Sequence, residues 1–173
     1  ENIYTFAGPI LLAVNPYKQM PGLHDKESLQ KFARIPPGCP PPTPHIFGIA
    51  RDALLGIQQS NMPQTLLVSG ESGAGKTETV KCAVHFLAHA GGRHSENAGT
   101  CLEHRVLESS SLLEALGNAR TLKNYNSSRF CKFTELRFQR VPGASGPCIK
   151  EAKTQTYLLE STRITGLKEG ERS

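Results

Sequence analysis

Eight consecutive residues near the middle of the chain have the types and spacing of a loop that binds phosphate groups. They fit the pattern G-x-x-x-x-G-K-[ST] at every required position, and they are Gly70, Glu71, Ser72, Gly73, Ala74, Gly75, Lys76 and Thr77. Glycines let the backbone bend closely around a ligand, and the N–H groups at a helix N-terminus attract anions. In such a loop the lysine ammonium contacts the β- and γ-phosphates, and the final hydroxyl ligates Mg²⁺. The pattern therefore predicts nucleotide binding; the alternative is a glycine-rich turn that binds nothing.

Three side chains of metal-ligand type follow the loop. Cys82, His85 and His89 stand at i, i+3 and i+7, which places them on roughly one face of a helix. A structural zinc site needs four such ligands, and we find no fourth ligand nearby and no H-E-x-x-H motif. We interpret this face as one that is partly packed and partly hydrated.

Composition narrows the class of protein. The chain has 173 residues, a formal net charge of +5 and 5 cysteines, which are widely spaced. The basic residues are scattered, so we predict no nucleic-acid partner. No run of eighteen apolar residues occurs, so no transmembrane segment is predicted. The thiols are expected to be reduced in the cytosol. The absence of an initiator Met and of a signal peptide suggests a piece of a longer cytoplasmic protein.

The elements around the loop have the order that the motif requires. Residues 65–69 form an apolar run that predicts a buried strand, and residues 78–90 predict a helix. A further helix over residues 46–59 is expected to pack beside the predicted strand. Strand, glycine loop and helix in this order support the phosphate-binding interpretation.

The remaining segments predict an α/β fold, with a central mixed sheet of the P-loop NTPase type and flanking helices. We predict strands at 3–6, 10–14, 130–140 and 153–161, helices at 25–34 and 102–116, and a polar loop at 91–100. The last strand is expected to bury residues 157–159. The helix at 102–116 is expected to use Gly117 as its C-cap. Its expected core contacts are Leu107, Leu112, Leu113 and Leu116.

A proline-rich stretch occupies residues 36–44 and holds six of the 12 prolines. Proline excludes helix and central strand there. A ligand for a polyproline-binding domain is possible in principle, but we favour a surface loop.

Four stretches together resemble the nucleotide-binding part of the myosin head. Residues 3–18 resemble the opening strands and the purine-binding loop, and residues 44–50 resemble the helix before the phosphate strand. Residues 70–78 match the myosin form of the phosphate loop, and residues 124–130 resemble switch I. The resemblance implies a partial motor domain over residues 1–173 that contains the 36–44 loop. The general character is that of an unconventional myosin, similar to class XV.

The resemblance assigns a role to each matching residue. The adenine would lie among Asn15, Pro16 and Lys18, and the phosphates would lie on residues 70–77 and Asn124. Ser127 would lie near the γ-phosphate and the attacking water, and Mg²⁺ would be held by Thr77 and Ser128. Arg129 would pair with an acidic residue of switch II. With Lys76, this gives Asn124, Ser127 and Arg129 as the catalytic candidates and ATP with Mg²⁺ as cofactors.

Three departures from the family pattern affect these expectations. Cys131 stands where switch I has a glycine, and Leu23 stands where many myosins have an aromatic residue near the purine. No stretch after residue 131 resembles switch II, and a Walker-B-type run ending in Asp is also missing. The nearest candidate for such a run, residues 158–160, resembles instead a structural strand of the myosin head. We therefore expect Arg129 to lack its partner, and the chain alone to bind Mg·ATP weakly, hydrolyse little and aggregate.

Three functions remain open from the sequence. The first is the ATP-binding part of an actin-based motor of the cytoplasm and the actin cytoskeleton. The second is a truncated or degenerate non-motor remnant that acts, if at all, as an interaction module. The third is a stand-alone P-loop kinase for a small molecule, which would need a second acidic Mg²⁺ site that we do not find.

Overall fold

The computed structural model describes residues 2–90, 98–121, 124–140, 142 and 146–162, with the backbone alone for residues 98–105 and 107. Within these ranges the chain forms four helices and three two-stranded antiparallel sheets. The mixture of helices and strands agrees with the predicted α/β class. The predicted central mixed sheet is not seen in the part of the chain that the structure describes.

The first sheet is a hairpin of β1 (Tyr4–Ala7) and β2 (Ile10–Ala13). Gly8 turns the chain with a φ of +59°, a conformation that favours glycine. The predicted pair of strands is confirmed. Tyr4 is the strand residue that the core buries, and burial raises its pKa, with a further contribution from Cys82.

Three helices enclose the core, and all three were predicted from the sequence. Helix α1 (Lys26–Ala33) begins after Asp25, whose side chain accepts a hydrogen bond from the Ser28 N–H at 2.8 Å. Helix α2 (Ile46–Ser60) packs along α3 (Lys76–Ala90). The Phe47 and Phe86 rings stack between these two helices with centroids 5.4 Å apart. Because both rings are completely buried, they form the centre of the apolar core.

The proline-rich stretch forms a loop against α2. The Arg51 guanidinium donates to the carbonyls of Ile35 at 3.2 Å and Pro36 at 2.6 Å. Pro41 lies so close to α2 that a Cβ at Gly48 would be 2.9 Å from the proline Cγ. This loop is therefore anchored at its start and near its middle.

The prediction of a buried strand at residues 65–69 is wrong. Residues 61–70 have no regular secondary structure, and the Leu67 side chain is 89% exposed. A buried strand needs neighbours that pair with its backbone and cover its side chains. The described residues provide no such neighbour at this place, so the apolar run lies on the surface.

Helix α4 (Ala98–Gly117) begins earlier than predicted, and residues 91–97 of the predicted polar loop lie outside the described residues. Leu113 is half-buried, whereas the expectation that Leu112 and Leu116 contact the core is wrong, because they are 64% and 74% exposed. Ser110 and Glu114, on the face of α4 opposite to these leucines, make polar contacts with Lys132 and Lys81. This opposite face is therefore the one that packs against the rest of the protein. The side chain of Leu107 is outside the described set.

Gly117 is the last residue of α4 rather than a residue beyond its end. Its φ is not in the left-handed region, so it does not cap the helix in the predicted way. A Cβ at this position would lie 2.4 Å from two carbons of the Phe130 ring. Glycine is therefore required here by the close approach of Phe130.

The chain closes with a long hairpin of β5 (Cys131–Gln139) and β6 (Cys148–Tyr157), whose register shifts between Arg137 and Phe138. Along β5 the side chains that share one face, Lys132, Thr134, Leu136 and Phe138, are half-buried. The expected burial of residues 157–159 is wrong, because Leu158 is 76% exposed and has a φ of +56° that ends the strand. Across the described residues, no helix has both the length and the apolar character needed to cross a membrane.

Candidate functional site

The predicted phosphate loop connects the irregular segment 61–70 to α3. Gly70, Gly73 and Gly75 have φ angles of +154°, +82° and +91°, which residues with a Cβ rarely adopt. The Thr79 N–H donates to the Gly75 carbonyl at 2.9 Å and starts the helical hydrogen-bond pattern. The glycine spacing is thus required by the backbone path, and the loop ends directly at the N-terminus of α3.

The Lys76 ammonium folds back over this loop. It donates to the carbonyls of Gly70 at 2.8 Å and Glu71 at 2.7 Å. The first N–H groups of a helix have no acceptor within the helix, and the helix dipole places partial positive charge there. The loop therefore combines a cation with helix N-terminal N–H donors that have no acceptor within the helix, which is an arrangement suited to an anion.

One predicted purine-side residue contacts the loop directly. The Asn15 side-chain amide donates to the Gly73 carbonyl at 2.6 Å, and its oxygen accepts from the Tyr17 N–H at 2.9 Å. Pro16 is half-buried and Lys18 is exposed. The structure therefore places the segment after β2 against the loop through Asn15.

The two-residue strand β4 (Ser127–Ser128) reaches the loop from the other side. It pairs with β3 (Asn118–Ala119), which follows α4. The Ser127 hydroxyl lies 2.8 Å from the Ser72 hydroxyl, and the Ser127 residue is 3% exposed. Thr77 and Ser128 are both half-buried. Two segments separated by more than fifty residues are thus joined at one hydroxyl pair.

Asn124 is engaged within its own turn. Its side-chain oxygen accepts from the Asn126 N–H at 3.1 Å, and its amide donates to the Asn126 carbonyl at 3.2 Å. These bonds shape the segment that leads into β4. The described contacts therefore bring Ser127, rather than Asn124, to the loop.

Arg129 has an acidic partner, Glu160, which is not the switch II residue that we expected to be missing. Its guanidinium lies 3.0 Å from a carboxylate oxygen of Glu160 and donates from Nε to the Ser128 carbonyl at 3.2 Å. The β5–β6 hairpin returns the chain to its starting point, which brings Glu160 beside Arg129. Pairing across a long hairpin supplies a partner that is distant in sequence.

The comparisons with known proteins cover the whole length of the chain. Residues 1–173 match the family of the myosin head (motor domain). The chain belongs to the myosin head family. It is 44% identical to Myosin-17, 42% to Myosin-9 and 43% to Myosin-7, all of Arabidopsis thaliana, over all 173 residues. The chain spans only 11%, 11% and 10% of the lengths of these relatives.

A charged cluster links α4 to α3 and to β5, and sequence reasoning missed it. Lys81 on α3 lies 3.0 Å from Glu78 and 3.3 Å from Glu114 on α4. Burial lowers the pKa of Lys81, but the bond with Glu78 and the charges of Glu78 and Glu114 outweigh it and raise the pKa. Lys132 on β5 donates to the buried Ser110 hydroxyl.

Only part of this cluster has a signal in the sequence. Glu78 and Lys81 stand three apart on a helix, a spacing that predicts an ion pair. Burial lowers the pKa of Lys132, while Glu114 opposes this effect. The approach of Lys132 to α4 depends on tertiary packing, so no local sequence pattern predicts it.

The face of α3 with metal-ligand types lies beyond the loop. Among the described residues, no three His, Cys, Asp or Glu side chains form a group that could hold a metal ion. Burial raises the pKa of the Cys82 thiol to about 11, which keeps it protonated at neutral pH. A cavity of about 410 Å³ opens here, lined by His24, Phe47, Lys81, Cys82, His85, Glu108 and Ser111.

Proposed function

We propose that this myosin-head chain binds Mg·ATP at the phosphate loop and serves ATP hydrolysis coupled to actin in a motor protein. The observation that carries the proposal is the contact between the Ser72 and Ser127 hydroxyls at 2.8 Å. It brings the glycine loop and the switch I segment to one place, beside the N-terminus of α3 and the Lys76 ammonium. Phosphoryl transfer depends on such positioning and charge stabilisation.

The residues of the loop fit a nucleotide phosphate chain with a divalent cation. Three glycines of the loop have positive φ and carry no Cβ, and Lys76 supplies a positive charge. When bound, Mg·ATP supplies the phosphoryl group and its counter-charge. We assign the phosphates to residues 70–77 and Asn124, the metal to Thr77 and Ser128, and the position near the attacking water to Ser127. Asn15, Pro16 and Lys18 are assigned to the adenine side.

The wider assignments follow from family membership and stay proposals. We propose actin filaments as the partner, the cytoplasm and actin cytoskeleton as the location, and a partial motor domain that includes the 36–44 loop. A nucleic-acid partner is not proposed. The similarity to class XV stays a prediction, because the relatives compared are plant myosins.

Two features favour the rival function, a non-motor remnant or interaction module. Cys131 replaces the switch I glycine at the start of β5, and the segment expected to form the phosphate strand lies exposed. Such a module would keep the fold but would not need to bind nucleotide. Nucleotide binding therefore distinguishes the two functions.

The test is a titration of the purified chain with a fluorescent ATP analogue, with and without Mg²⁺. We expect weak, saturable, Mg²⁺-dependent binding in the wild type and a loss of at least about tenfold in affinity in Lys76→Ala, because a charged donor to phosphate is removed. Lys150→Ala, which removes an exposed lysine on β6, is the matched control. Folded wild type that binds no better than Lys76→Ala would contradict the proposal and favour the rival.

A further inference from the structure

Glu160 holds Arg129 by two kinds of bond at once. The Glu160 N–H donates to the Arg129 carbonyl at 2.8 Å, and the Glu160 carboxylate lies 3.0 Å from the Arg129 guanidinium. We propose that Glu160 is a positioning residue that fixes the switch I serines for Mg·ATP. The inference rests on the proposed function and adds a residue to which the family resemblance gives no role.

Arg129 is the point at which the short strand β4 is anchored. The Arg129 N–H donates to the Gly117 carbonyl at 2.9 Å, at the end of α4. The preceding pairs are Ser128 with Asn118 and Ser127 with Ala119. A strand of two residues provides few ladder hydrogen bonds, and an isolated pair of strands is marginal in water. The contacts of Arg129 therefore contribute a large share of the interactions that fix the position of β4.

The same segment carries the hydroxyl that meets the phosphate loop. Ser127 stands two residues before Arg129, and its side chain reaches Ser72 at 2.8 Å. The Ser128 carbonyl accepts a hydrogen bond from the Arg129 Nε at 3.2 Å. A displacement of Arg129 is therefore passed to Ser127 and Ser128 through a few covalent bonds.

The solvent exposure of the two partners makes the carboxylate the controlling group. The Arg129 side chain is 16% exposed and the Glu160 side chain 42%. Removing the carboxylate leaves a mostly buried guanidinium with less compensation of its charge, which is costly. The guanidinium would then turn towards water and draw the β4 backbone with it.

The test compares Glu160→Gln, which removes charge at constant size, with Glu151→Gln. Glu151 on β6 forms an exposed ion pair with Arg137 at 3.3 Å, so it controls for the loss of one hairpin carboxylate. In Glu160→Gln we expect the Arg129 amide to exchange hydrogen about tenfold faster. The dissociation constant of the fluorescent ATP analogue should rise about threefold to tenfold with Mg²⁺, and by less than about twofold without it.

Glu160→Asp, which keeps the charge, should restore part of both effects, and Glu151→Gln should match the wild type. General destabilisation would weaken binding with and without Mg²⁺ alike. An Arg129 amide that exchanges equally fast in Glu160→Gln and the wild type would overturn the inference, whatever the nucleotide result. If the wild type binds no nucleotide, the proposed function fails and the exchange rates alone decide whether Glu160 positions switch I.

Discussion

His45 is a buried residue whose two ring nitrogens have different tasks. It lies before α2, with Nδ1 accepting from the Phe47 N–H at 3.0 Å and Nε2 at 3.0 Å from the Leu23 carbonyl. The first bond requires an unprotonated Nδ1, and the second requires a proton on Nε2. Burial lowers the pKa of His45 from 6.5 to about 4, against a smaller opposing effect of the Leu23 carbonyl. The neutral ring is therefore part of the native helix cap.

This pKa predicts loss of stability in mild acid. As the pH falls below 6.5, the unfolded chain takes up the proton before the folded chain does, so the contribution of His45 is complete above about pH 7 and is lost towards pH 4. At pH 5 the free energy of unfolding should be about 2 kcal/mol lower than at pH 7.5 from this group. Urea unfolding across this range measures the effect.

A non-titrating cap provides the control for this prediction. His45→Asn keeps a side chain that caps helices and should flatten the pH dependence between pH 5 and 7. His24→Gln reports the share of the second imidazole, whose pKa burial also lowers. An unchanged slope in His45→Asn would show that another group titrates.

Substitution by alanine should have different effects on stability at two helical glycines. At Gly117 the new Cβ would lie 2.4 Å from the Phe130 ring, and we expect Gly117→Ala to lower stability by about 1–2 kcal/mol. At Gly56 the nearest atoms belong to the end of the Gln64 side chain, which can move. Gly56→Ala should therefore be neutral or raise stability by up to about 1 kcal/mol. Thermal unfolding of both variants checks the contrast, and equal shifts would contradict it.

Between elements, Arg51 is the polar link that joins α2 to the end of α1 and the proline-rich loop. Its side chain is 6% exposed and donates to two carbonyls beyond α1. Arg51→Gln cannot reach both acceptors, and we expect a loss of about 2–3 kcal/mol in the free energy of unfolding. Arg137→Gln, on the exposed face of β5, should change stability little. Urea unfolding of both proteins gives the comparison, and similar midpoints would show that the buried link is dispensable.

Elements that have a local sequence pattern were predicted correctly. Features that depend on tertiary packing against another element were not. Apolar periodicity predicted α1 and α2, the position after the glycine loop predicted α3, and the turn at Gly8 predicted the first hairpin. The burial of Leu112, Leu116 and residues 157–159 was misjudged because an apolar residue becomes buried only where another element covers it. Periodicity alone also could not choose the inward face of α4.

For the whole molecule, exposed apolar surface is the main liability. Leu67, Leu158 and Leu159 are exposed, as is much of the first hairpin. Surfaces of this kind promote association. We expect the chain to self-associate as concentration rises, in line with the expectation from sequence.

Leu67 offers a direct test of that association. Leu67→Lys should reduce the apparent mass by light scattering without lowering the melting temperature, because the side chain is 89% exposed. Thr65→Lys raises the net charge of +5 by the same step without removing apolar surface. Equal improvement in both variants would assign the effect to charge instead.

The candidate site was predictable as a set of segments but not as a set of contacts. The motif identified residues 70–77, and the family resemblance identified residues 124–130. The Ser72–Ser127 contact and the Arg129–Glu160 pair depend on how α4 and the last hairpin fold back. The sequence predicts that the switch II partner of Arg129 is missing, and it carries no local signal for the pairing with Glu160.

The folded-back Lys76 has a consequence for how fast an anion enters the loop. Its ammonium already donates hydrogen bonds to two carbonyl oxygens of its own loop. These oxygens therefore compete with an incoming anion for the ammonium. An arriving anion must exchange with these oxygens rather than fill an idle contact. Association should then proceed in two steps. The observed rate constant should reach a plateau at high ligand concentration, equal to the rate at which Lys76 dissociates from the two carbonyl oxygens.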